Sequence, residues 1–148
     1  MEYYRLILNR TFWVLFTKEY LIGVQVNNVI ATESSMDLFS GFTTNIVLSH
    51  NIVRGDLENP YSYLKARYIM EVASIDLMSD EFLKMNANFR INKEEIKTAY
   101  HKPQKKWGMG YYPHNGRVII ETQNGKKREF IILGNASGQQ MTNKILAM

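Results

Sequence analysis

GRVIIETQNGKKREFIILGNASGQQMTNKILAM, residues 116–148, is the stretch whose reading decides the fold. Two β-branched runs, 117–123 and 126–133, flank Asn124-Gly125, and both turn residues tolerate the positive φ that a tight turn demands. The pattern predicts a β-hairpin. A strict two-residue loop would put Val118 and Ile120 on one face with Lys127, Glu129 and Ile131, mixing apolar and charged side chains. Moving Lys126 into the loop, with a bulge at Gly125 or its neighbour, changes the parity and gathers Val118, Ile120, Phe130 and Ile132 on one face. That register sets Glu121 opposite Glu129 at a cost of about 0.2 to 1 kcal/mol. Each large apolar side chain it buries gains roughly 1.5 to 3 kcal/mol, so the bulged register is the expected one. Beyond Leu133, Ser137 and Gln140 read as a capping box, and Met141, Ile145 and Met148 fall on one helical stripe. A helix so short needs a docking surface, and the apolar face of the preceding sheet is the nearest.

The rest of the chain is consistent with one domain of 148 residues, large enough to bury a core without staples. Cysteine is absent, which excludes disulfides, thiolate metal sites and cysteine nucleophiles. The opening Met1-Glu2-Tyr3-Tyr4-Arg5 lacks a basic leader, and the apolar runs 6–8 and 12–16 are too short to span a bilayer, so a cytoplasmic protein is expected. The net charge of +4 hides an asymmetry. Residues 1–83 hold six Lys or Arg against ten Asp or Glu, a balance of −4, whereas residues 84–148 hold twelve against four, a balance of +8. Such a dipolar chain suits an anionic partner or a complementary copy of itself, although solvated strand faces produce the same pattern.

In chain order, residues 3–8, 12–16 and 20–26 read as an antiparallel meander on short polar loops. Trp13 is either a stacking platform or core, and the area it buries favours core. Residues 27–58 form an irregular insertion; 27–53 contain no Lys or Arg and are too apolar for a disordered linker, so they either wrap over the domain's own core or form the expected self-association surface. Asn59-Pro60 marks a helix start. Leu64, Tyr68, Val72, Ile75 and Phe82 then lie along one stripe of a long helix over about 60–85, with Ser79 able to restart it under a new cap. Asp76, Asp80 and Glu81 cluster there and read as a solvated acidic face. Residues 89–91 are extended, 92–95 turn, and 96–102 alternate.

Basic and aromatic residues interleave in 102–115, as in nucleic-acid grooves and at membrane interfaces; a tyrosine-rich hairpin with a glycine bulge looks the same. Lys102, Lys105, Lys106, Trp107, Tyr111, Lys126, Lys127 and Arg128 are the candidate anion-binding residues, lying on loops and strand ends of one sheet. No other chemistry is signalled. His50, His101 and His114 lack metal spacing, Gly108-Met109-Gly110 is not followed by the Lys-Ser or Lys-Thr of a phosphate loop, and no serine sits in a nucleophile elbow. No cofactor and no enzymatic activity are expected.

The first hairpin, Phe12-Trp13-Val14-Leu15-Phe16-Thr17-Lys18-Glu19-Tyr20-Leu21-Ile22-Gly23-Val24, the segment Asn88-Phe89-Arg90-Ile91-Asn92-Lys93-Glu94-Glu95-Ile96, and the closing hairpin and helix in 116–146 together resemble the bacterial pleckstrin-homology-like (PH-like) domains. The resemblance covers about half of the chain. It implies an α+β fold, a bent, partly open antiparallel barrel with the last helix plugging one end. It also implies a domain used for binding or assembly. Phosphoinositide-binding members of the wider superfamily carry a basic cluster on the first hairpin, where this chain has only Arg10, which argues against inositol-lipid recognition. The expected function is non-enzymatic binding or scaffolding through self-association or a protein partner. The alternative is an anion-binding module for nucleic acid or an acidic membrane surface.

Overall fold

The computed structural model describes residues 2–3, 10–27, 56–85, 87–105 and 113–148. Strands β2 (Arg10–Phe16), β3 (Tyr20–Asn27) and β4 (Phe89–Asn92) form one antiparallel sheet, and β5 (Ile96–Lys102), β6 (His114–Thr122) and β7 (Lys127–Leu133) form another. The two-residue strand β1 (Glu2–Tyr3) pairs with both β2 and β7 and joins the sheets in the order β4-β3-β2-β1-β7-β6-β5. Among the described residues no ladder joins β4 to β5, so the barrel is not closed. A 3-10 helix, Lys93–Glu95, turns the corner between them, started by Asn92, whose side chain accepts from the Glu94 amide. Two backbone bonds pin that corner. The Lys93 amide donates to Glu19 in the β2–β3 turn at 2.8 Å, and the Gln123 amide donates to Glu95 at 2.8 Å.

The sequence places the core residues by alternation. Phe12, Leu21, Phe89 and Ile91 face inward from the first sheet, and Val118, Ile120, Phe130 and Ile132 face them from the second. The Phe89 ring meets Phe12 edge-on at 5.3 Å and Phe130 at 5.8 Å, geometries that aromatic quadrupoles favour. Gly23 pairs with Phe89, and a Cβ at Gly23 would collide with that ring, so glycine makes room for the aromatic cluster. The first sheet is partly covered on its other face too. Ile22, Val24 and Val26 pack there with Phe82 from the helical segment.

The β6–β7 hairpin takes the expected parity, and Val118, Ile120, Phe130 and Ile132 are all fully buried. Its rungs are displaced by two residues from the expected register. Thr122 donates its amide to the Lys126 carbonyl at 2.9 Å, leaving Gln123-Asn124-Gly125 as a three-residue loop with Gly125 at φ 79. Glu121 therefore stands opposite Lys127, not Glu129, and an attractive pair replaces the expected repulsive one. The Asn124 carboxamide oxygen accepts from the Lys126 amide at 3.2 Å and tightens the turn.

Residues 60–85 do not form one long helix. A 3-10 helix, Pro60–Tyr63, α1 (Ala66–Ala73) and α2 (Asp80–Lys84) divide the stretch. Asn59 caps the first as expected, accepting from the Tyr61 amide. The break after it is tertiary in origin: Leu64 is extended and the Lys65 amide leaves the helical ladder to donate to the Val26 carbonyl at 3.1 Å. The second break is local. The Asp76 carboxylate accepts from the Met78 amide, and Ser79 caps α2 by accepting from the Phe82 amide. Tyr68 and Phe82 are nevertheless buried, so the apolar stripe survives without a continuous helix.

The terminal helix α3 (Gly138–Leu146) is capped by Ser137, whose hydroxyl accepts from the Gln140 amide at 3.2 Å. Ile145 is buried, with Met141 and Met148 packed on the same core, so the predicted stripe docks on the second sheet. Gly138 lies against the His101 ring of β5, where a Cβ would collide.

Candidate functional site

Of the candidate anion-binding residues, Lys106, Trp107 and Tyr111 lie outside the described residues, as do residues 28–53, most of the expected self-association surface. The other five do not share one face. Lys102 pairs with Arg117 and Lys127 with Glu121, rungs four residues apart on β6 and hence about 13 Å from each other. Lys105 is exposed in the turn after β5, at the Lys102 end, while Lys126 is exposed at the hairpin end. Arg128, adjacent to Lys127, alternates to the core side, where its guanidinium lies 4.3 Å from the Phe89 ring centroid.

On the outer face of the second sheet Lys127 and Arg117 make cross-strand ion pairs, and Lys102 makes a contact along its own strand. Lys127 Nζ lies 2.6 Å from Glu121 Oε1, and the Tyr100 hydroxyl donates to the same oxygen at 3.1 Å. The Lys102 ammonium sits 5.6 Å from the Tyr100 ring centroid, and Arg117 pairs with Glu129 at 3.1 Å. The hydrogen bond from Lys127 above all holds the Glu121 carboxyl below its ordinary range; burial opposes this, and Tyr100 adds to it. The same bond raises the Lys127 ammonium. A carboxyl with a depressed folded value contributes stability above its unfolded value, and that contribution is lost as pH falls through the folded one. In a side-chain NMR titration, Lys127→Met is expected to move the Glu121 midpoint upward. An unchanged midpoint would show that the two groups do not pair in solution.

Asp76, Asp80 and Glu81 serve the turn and first helical turn around α2, in keeping with a solvated acidic face. His101 Nε2 lies 3.0 Å from the Asn115 carbonyl and ties β5 to the bulge in β6, while His114 is buried. No group of three His, Cys, Asp or Glu residues among the described ones is arranged to hold a metal ion. No helix of the described residues is long and apolar enough to cross a membrane.

Trp13 corrects the sequence reading. Expected in the core, it is 41% exposed. Trp13 and Leu15, which pair with Val24 and Ile22, point away from the aromatic cluster, and the broken helical segment covers that face of the first sheet only in part. An open cleft of about 330 Å³ remains, walled by Trp13, Leu15 and Val24 on the sheet and by Ile69, Ile75 and Leu77 on the helical segment. Met70, on α1, is 74% exposed. A second cavity, of about 310 Å³, opens on the other side of Trp13 between β2, the 3-10 helix at Pro60–Tyr63 and α3. The area of the indole ring pointed to the core, and the failure of the helical segment to cover that face is what leaves Trp13 exposed. No family model, no curated protein and no solved structure matches this chain.

Proposed function

We propose that the chain is a PH-like binding and scaffolding domain that acts without catalysis, by self-association through the outer face of its first sheet. Two three-stranded antiparallel sheets over a shared core, with a terminal helix docked on the second, support the PH-like frame. The observation that carries the association reading is the uncovered apolar cleft edged by Trp13, with Met70 exposed on α1. A tryptophan at the margin of an apolar cleft has the composition of an interface anchor, and methionine adapts to irregular partner surfaces. Every described residue walling the cleft is apolar, so a matching surface on a second copy satisfies it without stranding a charge.

Sedimentation velocity over a concentration series tests this. The full chain is expected to dimerise by high micromolar concentration. Trp13→Ser should weaken the dimer by about 2 kcal/mol or more, the usual loss at an aromatic anchor. Met70→Glu, at an exposed helix position where folding is little affected, should do so as well by placing like charges in the interface. A strict monomer at high micromolar concentration, or a dimer indifferent to both substitutions, would refute the assignment. The anion-binding alternative has less support, since the described cations are spread over two ends and two faces of the second sheet.

A further inference from the structure

The cavity between β2 and α3 differs in kind from the association face because, among the described residues, it combines an apolar floor with one cation. Phe12, Val26, Tyr63 and Leu133 form the floor, each no more than 2% exposed. Its volume of about 310 Å³ lies at the lower end of the range of small-molecule sites, roughly 300 to 1,000 Å³. The lining includes both Thr11 and Phe16, and a strand rises about 3.3 Å per residue, so the wall extends for roughly 16 Å along the edge of β2. This elongation suits a chain better than a compact ring.

Lys144, exposed on α3, lines the same cavity, and its ammonium lies 5.9 Å from the Phe16 ring centroid, near one end of that wall. Among the described residues no carboxylate lies within ion-pair distance of it. An apolar ligand without charge would leave this cation unused, and a cationic amphiphile would be repelled by it. A group carrying two or more negative charges would bring excess charge against an apolar wall, where desolvation is costly. A single carboxylate meets one ammonium at the solvent boundary while its hydrocarbon displaces water from the floor.

We propose that this cavity binds a free single-chain monocarboxylate of the fatty-acid class, its hydrocarbon along β2 and its carboxylate against Lys144. Dodecanoate is the probe, titrated calorimetrically into the full chain below its micellar concentration. Saturable binding of one molecule per chain is expected, with dodecanol and dodecyltrimethylammonium about tenfold weaker or worse. Lys144→Glu should weaken dodecanoate about tenfold while Lys144→Arg retains it. Ala136→Phe, which places a ring in the cavity, should abolish binding with the circular dichroism spectrum preserved. If that variant fails to fold, the two Lys144 variants decide the matter, because the side chain they alter is exposed. Absence of saturable dodecanoate binding overturns the proposal, as does equal affinity for dodecanol or indifference to Lys144→Glu. Binding to phosphatidylcholine vesicles containing phosphatidylglycerol, without binding of free dodecanoate, overturns it as well, by assigning Lys144 to a lipid surface. Neither Lys144 nor Ala136 walls the cleft proposed for association, so the two tests fail separately.

Discussion

Phe130→Ala is expected to lower the unfolding free energy by about 3 to 5 kcal/mol, the usual cost of removing a large aromatic side chain from a core. Phe130 is fully buried, opposes Val118 across the hairpin, and its ring meets Phe89. Its strand also pairs with β1, the element that joins the two sheets, through the Tyr3 rung. The space left behind is bounded by side chains from both sheets, so neither can collapse into it without disturbing the other. Against a total stability of about 5 to 15 kcal/mol for a domain of ordinary size, a loss of this magnitude is readily measured by urea denaturation. A loss below about 1 kcal/mol would place Phe130 outside the core and refute the hairpin parity.

The second large effect is expected at Gly116, with Gly125 as its internal control. Both glycines have positive φ, 69 and 79 respectively, a conformation that costs L residues about 1 to 3 kcal/mol. They differ in surroundings. A Cβ at Gly125 meets nothing within 4 Å, whereas one at Gly116 collides with the backbone of Lys102 and Pro103. Backbone cannot rotate aside as a side chain does, so relief at Gly116 requires parting β5 from β6 at the bulge between His114 and Arg117. Gly125→Ala is therefore expected to cost about 1 kcal/mol, and Gly116→Ala about 3 kcal/mol, the conformational cost plus overpacking. Equal losses in parallel thermal melts would show that the close approach of β5 to Gly116 does not exist in solution.

The sequence by itself determined those features whose causes lie within a few residues of each other. Asn124-Gly125 sets the hairpin because its turn geometry is local, and Asn59, Ser79, Asn92 and Ser137 start helical turns because each side-chain oxygen reaches an amide two or three residues ahead. Alternation with period two selected the buried face of β6 and β7, and the stripe Met141, Ile145 and Met148 selected the docked face of α3. Period two cannot distinguish registers that differ by two residues, so pairing Glu121 with Lys127 instead of Glu129 was left to the assembled hairpin. Only the tertiary structure decided that the stripe in 64–82 belongs to a broken segment, because the Lys65 amide finds its acceptor on β3. Only it separated Lys102 from Lys127 along the second sheet, since charges on different strands have no fixed distance until those strands pair, whereas the core side of Arg128 follows from its alternation with Phe130 and Ile132. The exposure of Trp13 and the cavity beside Lys144 are tertiary in the same sense. A strand's pattern states which side chains share a face, but whether another element covers that face depends on where the rest of the chain comes to rest.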